Sequence, residues 1–73
     1  MQKWEYNYVY LSFDDKKKNW IGRVEDKDLV GYTTILDALG ERGWELVSIV
    51  ASKTSSYEFT VFQYLATFKR PRE

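Results

Sequence analysis

The side chains that carry out most protein chemistry are scarce in this sequence. It contains neither histidine nor cysteine, so the commonest general base, the best side-chain nucleophile and the commonest transition-metal ligands are missing. Glu5 and Glu45 are predicted to share one face of a sheet, as acid–base carboxylates do, but solvated carboxylates on neighbouring strands are the ordinary case. We therefore predict a non-enzymatic protein with no catalytic residues, no metal and no cofactor.

Aromatic rings and cations are better represented, and they favour binding. Three Trp, six Tyr and four Phe offer stacking faces, and rings beside cations and hydroxyls suit a small nucleotide-like ligand. Candidates near predicted loops and strand ends are Trp20, Arg23, Lys53, Thr54, Tyr57 and Arg70. Sequestration of such a ligand has an analogy among small oligomeric phage proteins. For any single ring, packing in a core or an interface is the commoner role.

The alternative is a protein-interaction module or regulatory subunit that uses an exposed sheet face or edge. Nucleic-acid binding is disfavoured, because eleven basic and eleven acidic residues give zero net charge and only Lys69, Arg70 and Arg72 form a small basic tail. No segment is long enough to span a bilayer, and the opening residues lack the apolar stretch of a signal peptide. A cytoplasmic protein is expected.

Positioning these residues requires a fold that 73 residues can build, which is one domain over residues 1–73. Aromatic and β-branched runs predict strands at 3–13, 19–24, 44–52 and 57–70. Polar segments predict a turn at 14–19 and loops at 25–31 and 53–56. Pro71 is expected to end the last strand.

One helix is predicted between the second and third strands. Thr33 or Thr34 is the expected N-cap, with Asp37 in the first turn and at a capping-box spacing. An apolar stripe follows at Ile35, Leu36 and Leu39.

The helix is expected to stop at Gly43 as the left-handed C′ residue, which makes Leu39 and Trp44 the contacting pair of a Schellman motif. Gly40, inside the last turn, indicates either a close helix–sheet approach or early fraying.

The resulting order, β-β-α-β-β, predicts an α+β fold with a mostly antiparallel sheet of three to four strands and one helix packed on one face. The last strand is apolar on both sides and is expected between the first strand and the strand after the helix. We assign to the helix the face that carries Trp4, Tyr6, Trp44 and Leu46, because Glu5, Asn7 and Glu45 share the other.

One helix covers one face only, whereas the strands are apolar on two. Small domains without disulfides or metals often gain stability from a partner subunit, so we predict a homo-oligomer, a dimer or higher, that buries the surplus face. The alternative is that residues 19–24 and the following loop fold over that face.

Three segments resemble a family of short bacterial and phage proteins that is catalogued only as a domain of unknown function, the 4177 group. They are KWEY at 3–6, LDALGERGWELV at 36–47 and FKRP at 68–71. The resemblance covers most of the chain apart from 14–32 and 53–60. It implies a common fold and no established activity, and it supplies no catalytic residues.

Overall fold

Five strands and one helix build the part of the chain that the computed structural model describes, residues 1–54 and 61–72. They are β1 Trp4–Asp14, β2 Asn19–Val24, β3 Lys27–Val30, α1 Tyr32–Glu41, β4 Glu45–Thr54 and β5 Val61–Pro71. The strands form one antiparallel sheet in the order β3-β2-β1-β5-β4. The α+β class and the place of the last strand between β1 and β4 are confirmed. The strand count and order are corrected to five strands and β-β-β-α-β-β.

The additional strand is β3, in the segment predicted as a polar loop. Glu25 and Asp26 have φ values of 50° and 65°, the positive values that a two-residue type I′ turn needs at both central positions. The turn brings Lys27 opposite Val24, and the pairing continues to Val30 opposite Ile21. The prediction was wrong because a Glu-Asp pair lacks the glycine or asparagine that usually marks such a turn.

The loop predicted at 53–56 is also corrected in part. Lys53 and Thr54 are the last residues of β4, opposite Gln63 and Val61 of β5. Residues 55 and 56 of that loop, and 57–60 of the predicted last strand, lie outside the described residues. Pro71 is the last residue of β5, as expected.

The start of α1 differs from the prediction. Gly31, with φ 104°, is the N-cap residue and no side chain caps the helix, so the threonine N-cap and the capping box are wrong. The Gly31 N–H donates to the Trp20 carbonyl at 2.7 Å, and its carbonyl accepts from the Ile35 N–H at 3.0 Å. One residue thus ends the β2–β3 ladder and begins the helix. Because strand and helix are joined directly, both threonines lie inside α1.

The end of α1 confirms the prediction. Trp44 N–H donates to the Leu39 carbonyl and Gly43 N–H to the Gly40 carbonyl, each at 3.0 Å, which are the two hydrogen bonds of a Schellman motif. Gly43 has φ 85°. A Cβ on Gly40 would meet nothing within 4 Å, so a close helix–sheet approach does not explain that glycine.

The buried core lies between α1 and one face of the sheet. It consists of Val9, Leu11, Val24, Ile35, Leu39, Ala66 and Phe68. Ile35 reaches the sheet because Gly22 leaves room for it. A Cβ at Gly22 would lie 3.0 Å from Ile35 Cδ1, Leu11 Cδ2 and Val9 Cγ1. We call this the covered face.

The predicted choice of face is corrected for β1. Val9 and Leu11 are buried under α1, so alternation places Trp4 and Tyr6 on the opposite face. The choice of face is right for Trp44, which packs against the core, and for Leu46, which lies opposite the buried Phe68 although it stays 38% exposed. Glu5 misled the assignment, since its polarity suggested solvent while an ion pair with Arg70 satisfies it on the covered face.

Candidate interaction surface

The face of the sheet opposite α1, here called the open face, carries a row of aromatic side chains along β1. Trp4, Tyr6, Tyr8 and Tyr10 are 38, 65, 62 and 48% exposed. They occupy alternate positions of one strand, so their side chains project from the same face. Tyr8 and Tyr10 pack edge to face, with ring centroids 5.7 Å apart. The surplus apolar face predicted from the sequence is therefore this aromatic row, in the middle of the sheet.

Neighbouring strands extend the aromatic row sideways. On β5, Leu65, Thr67 and Lys69 lie directly opposite Tyr10, Tyr8 and Tyr6. Lys69 Nζ is 4.2 Å from the centroid of the Trp4 ring, a cation–π contact. Strand β4 adds Glu45, Ser48 and Val50 opposite Lys69, Thr67 and Leu65. The centre of the open face is thus aromatic and aliphatic, and Lys69 and Glu45 place opposite charges at one end of it.

The other end of the open face is polar. Gln63 Nε2 donates to Ser12 Oγ at 3.1 Å, and Ser52 Oγ donates to Gln63 Oε1 at 3.1 Å. Arg23 Nη1 lies 3.4 Å from Asp28 Oδ1 on the adjacent strand. A wide depression of about 670 Å³ lies beside the β1–β2 turn and is lined by Tyr10, Ser12, Phe13, Asp14, Asp15, Lys16, Ile21, Arg23 and Asp28.

The residues predicted to bind a ligand are spread over the molecule. Trp20 lies half-buried in an aromatic cluster, with ring centroids 5.4 Å from Phe13 and 5.3 Å from Tyr64. Because Tyr64 is the cross-strand partner of Leu11, this cluster belongs to the covered face. Arg23, by contrast, is paired with Asp28 on β3.

Lys53 and Arg70 are also far apart. Lys53 is opposite Gln63, and Arg70 follows Gln63 by seven residues along β5, which corresponds to about 23 Å. The Thr54 side chain and Tyr57 lie outside the described part of the chain. One chain therefore does not bring Trp20, Arg23, Lys53 and Arg70 into a single pocket, and ligand binding by these residues stays a prediction.

Arg70 has a structural role on the covered face. Its Nε donates to the Glu5 carboxylate, its Nη1 donates to the Arg42 carbonyl at 2.9 Å, and its guanidinium lies 4.1 Å from the centroid of the Trp44 ring. These contacts join one end of the β1–β5 strand pair to the C-terminus of α1. The same contacts separate the two glutamates considered as an acid–base pair, because Glu5 faces Arg70 whereas Glu45 faces Lys69 on the open face.

Both outer strands carry features that discourage edge pairing. Strand β3 is only four residues long and includes Lys27 and Asp28. Strand β4 has register shifts between Leu46 and Ser48 and again between Ala51 and Lys53. Short strands, charges and bulges are the usual protection of sheet edges against other chains. The open face and its aromatic row are thus the more accessible contact surface.

Residues 1–54 and 61–72 bring together no group of three or more His, Cys, Asp or Glu side chains that would hold a metal ion. Within those same ranges, no helix has the length and apolar character needed to cross a membrane.

The sequence prediction missed Tyr6, Tyr8 and Tyr10 as candidate contact residues. A usable signal was present in β1 itself, where alternate positions are either Tyr or the aliphatic residues Val9 and Leu11. Tyrosine has a polar hydroxyl and is common at interfaces, whereas valine and leucine lose nothing by full burial. That distinction places the aliphatic side chains against the helix.

The described residues form an antiparallel sheet with one helix and an exposed aromatic face, which defines a small α+β fold. A family model matches residues 4–71, which is nearly the whole chain, and the protein belongs to that family, described as a domain of unknown function (DUF4177). No curated protein and no solved structure matches the chain. The family assignment confirms the resemblance noted in the sequence and adds no activity.

Proposed function

We propose that this protein is a non-enzymatic interaction module whose aromatic row on β1 binds another protein chain, with a second copy of itself as the first partner. The observation that supports this most directly is the exposure of Trp4, Tyr6, Tyr8 and Tyr10 in one row on a sheet face that α1 does not cover. Tyrosine and tryptophan are enriched at protein interfaces because their rings bury a large area with little loss of side-chain entropy.

The shape of the surface also favours a protein partner. Small-molecule sites are usually concave pockets that enclose most of the ligand, whereas the aromatic row lies on a sheet flanked by Leu65, Thr67 and Val50. Rows of exposed rings flanked by polar and charged residues resemble the core and the rim of a protein interface. The sequence alternative, in which residues 19–24 fold over this face, is excluded because those residues form β2 within the sheet.

Self-association is the most economical form of this interaction. A chain of 73 residues without cysteine has a small core, and burial of the aromatic row against a second copy adds apolar area that one chain cannot bury alone. Zero net charge imposes no overall repulsion between copies. A cytoplasmic location is part of the proposal, since small secreted domains commonly rely on disulfides.

Native mass spectrometry and light scattering of Tyr8→Glu test this function, because Tyr8 lies opposite Thr67 whereas Tyr6 lies opposite the cation Lys69. We expect the wild-type protein at twice the chain mass of 8.7 kDa or more, and the variant at the mass of one chain, because a carboxylate in the aromatic row cannot be buried without a partner. Tyr32→Glu is the matched control, since Tyr32 is an exposed tyrosine on α1. A monomeric wild type, or a Tyr8→Glu protein that associates normally, would contradict the proposal.

Binding of a small nucleotide-like ligand is the second candidate. It is favoured by the depression of about 670 Å³, where the Tyr10 ring lies near Lys16 and Arg23. Asp14, Asp15 and Asp28 line the same depression, and carboxylates oppose the capture of an anion. Wild-type protein purified without denaturation and weighed by native mass spectrometry should retain a ligand mass that Arg23→Ala loses. Identical spectra with no added mass would rule out ligand binding and leave protein binding as the one remaining proposal.

A further inference from the structure

The sheet has a gap beside the N-terminal half of β1. Strand β5 pairs with β1 from Trp4 to Ser12, but β2 pairs with it only from Leu11 to Asp14. On the β2 side, the stretch from Trp4 to Tyr10 has no paired strand among the described residues. A central strand of the sheet is therefore an edge strand along half of its length. We call this stretch the β1 gap.

The register shows which backbone groups point into the β1 gap. Arg72 N–H donates to the Lys3 carbonyl at 2.8 Å, so Lys3 and every second residue after it direct their backbone groups toward β5. Trp4, Tyr6 and Tyr8 consequently direct their N–H and C=O groups into the gap. In agreement, the Tyr8 N–H is hydrogen-bonded to the neighbouring Asn7 Oδ1 at 2.9 Å instead of to β5.

The β2–β3 hairpin limits the length of the gap. Gly22 lies against Val9, because a Cβ built on it would be 3.0 Å from Val9 Cγ1. The hairpin turns back at Glu25 and Asp26, and the Glu25 carboxylate is held 2.9 Å from Arg42 Nε at the end of α1. The part of β1 that is clear of the hairpin is therefore Trp4–Tyr8, and its middle residue is Tyr6.

We propose that the β1 gap is a strand-addition site for the β1 strand of a second copy, which pairs antiparallel about a two-fold axis at Tyr6. This inference rests on the proposed self-association and specifies its geometry. Backbone N–H and C=O groups of Trp4, Tyr6 and Tyr8 then bond to the complementary groups of the partner strand, as edge strands do in strand addition. The Tyr8 N–H exchanges its local bond to Asn7 Oδ1 for the bond to the partner.

The side chains are complementary in this register. On the open face, Trp4 lies opposite Tyr8 of the partner subunit, and Tyr6 lies opposite Tyr6 of the partner subunit, which are aromatic cross-strand pairs that stabilise antiparallel sheets. On the covered face, Glu5 lies opposite Asn7 of the partner subunit, so no like charges oppose each other. An axis at Glu5 would instead place two carboxylates opposite each other, which is destabilising.

Strand addition joins the two aromatic rows into one. The paired sheets run continuously from β4 and β5 of one copy through both β1 strands to β5 and β4 of the other. The rings of both copies then lie side by side on one open face, which is available as a wider surface for a further protein. The remaining edges of the combined sheet are the bulged β4 strands and the short, charged β3 strands, so growth by edge pairing stops at two copies.

Two substitutions at one position test the geometry. Tyr6→Pro removes the ring and the N–H that faces the gap, while the hydrogen bonds to β5 are retained because they come from the odd-numbered residues. Tyr6→Ser removes the ring alone. In sedimentation and native mass measurements we expect Tyr6→Ser to raise the dimer dissociation constant and Tyr6→Pro to abolish the dimer. Equal effects of the two variants would indicate stacking of open faces and overturn strand addition.

Amide hydrogen exchange of the wild-type protein provides a test that needs no variant. We expect slower exchange at the Trp4, Tyr6 and Tyr8 amides as protein concentration rises, with no change at Asn7 and Val9, whose amides face β5. A dimer whose Trp4 and Tyr6 amides exchange at the same rate at every concentration would overturn strand addition and leave the proposed function intact. A wild type that is monomeric at every concentration would overturn both.

Discussion

The two faces of the sheet differ in whether the chain itself buries their apolar side chains. The covered face is aliphatic at its centre, with Val9 and Leu11 buried under Ile35 and Leu39 of α1. The open face carries tryptophan and tyrosine on the same strand, and these rings remain exposed. Both faces are apolar by composition, but they differ in the kind of apolar side chain. Along β1, aliphatic side chains mark the positions that the helix buries, and amphipathic rings mark the positions that stay exposed. Other parts of the chain do add rings to the covered face, at Trp20, Trp44 and Tyr64.

The largest expected difference between the two faces is in the cost of removing a ring. Phe68 is fully buried on the covered face, and Phe68→Ala should lower the free energy of unfolding by about 3–5 kcal/mol because it leaves a cavity. Tyr8→Ala, its counterpart on the open face, should cost less than about 1 kcal/mol. Urea denaturation of both variants at a concentration that keeps them monomeric measures the difference. Equal costs would show that the open face is as well packed as the core.

The space available around a small residue is the second difference between the two faces. Gly22→Ala adds a methyl group where three side-chain carbons lie only 3.0 Å away, and such overpacking should cost about 1–3 kcal/mol. Ser48→Ala is the comparison on the open face, where Ser48 is exposed on β4, and its effect should stay within about 0.5 kcal/mol. Thermal unfolding of the two variants gives the measurement. A neutral Gly22→Ala would mean that Ile35 moves away from the sheet without cost.

Two neighbouring cations on β5 give a sharper comparison, since each lies over a tryptophan ring on a different face. Arg70 contacts Trp44 and also bonds to Glu5 and to the Arg42 carbonyl, whereas Lys69 contacts Trp4 alone. Arg70→Ala should cost about 1–2 kcal/mol and Lys69→Ala about 0.5 kcal/mol or less. Chemical denaturation with both variants checks this order, and a larger loss for Lys69→Ala would reverse it.

The smallest effect is expected on α1, away from both faces. Gly40→Ala should stabilise the protein by about 0.5–1 kcal/mol, because alanine is the better helix former and the added Cβ meets nothing within 4 Å. Gly43→Ala should destabilise it by about 1 kcal/mol, since Gly43 has φ 85°. Melting temperatures of the two variants should move in opposite directions. A shift in the same direction would mean that the helix end tolerates either residue equally.

The sequence predicted what depends on local spacing. Gly43 and Trp44 identified the Schellman end of α1, and the two-sided apolar pattern of the last strand placed β5 inside the sheet, between β1 and β4. Features that depend on tertiary context were missed. Strand β3 requires positive φ values at Glu25 and Asp26, which those residue types do not signal, and Gly31 begins the helix only because it also closes the β2–β3 ladder.

The sequence predicted that a surplus apolar face exists, but it assigned the wrong β1 residues to that face. A surplus apolar face was expected from composition, but Trp4 and Tyr6 were assigned to the helix because Glu5 looked like a solvent-exposed residue. The ion pair that keeps Glu5 on the covered face is made with Arg70, which lies 65 positions away in the sequence. Sequence periodicity gives the two faces of a strand, whereas the partner of each face is decided by contacts between distant residues.

The length of the short β2–β3 hairpin determines how much of the β1 backbone stays unpaired. Its turn at Glu25 and Asp26 sets how far along β1 the chain covers its own backbone, and the remainder defines the length of segment that can be added. Lengthening both β2 and β3 by two residues would cover the β1 backbone at Tyr8 and shorten the unpaired segment. Shortening both strands would leave a longer segment of β1 open to a partner strand. Partner choice in such a protein can thus change through hairpin length alone, without any substitution in the surface that makes the contact.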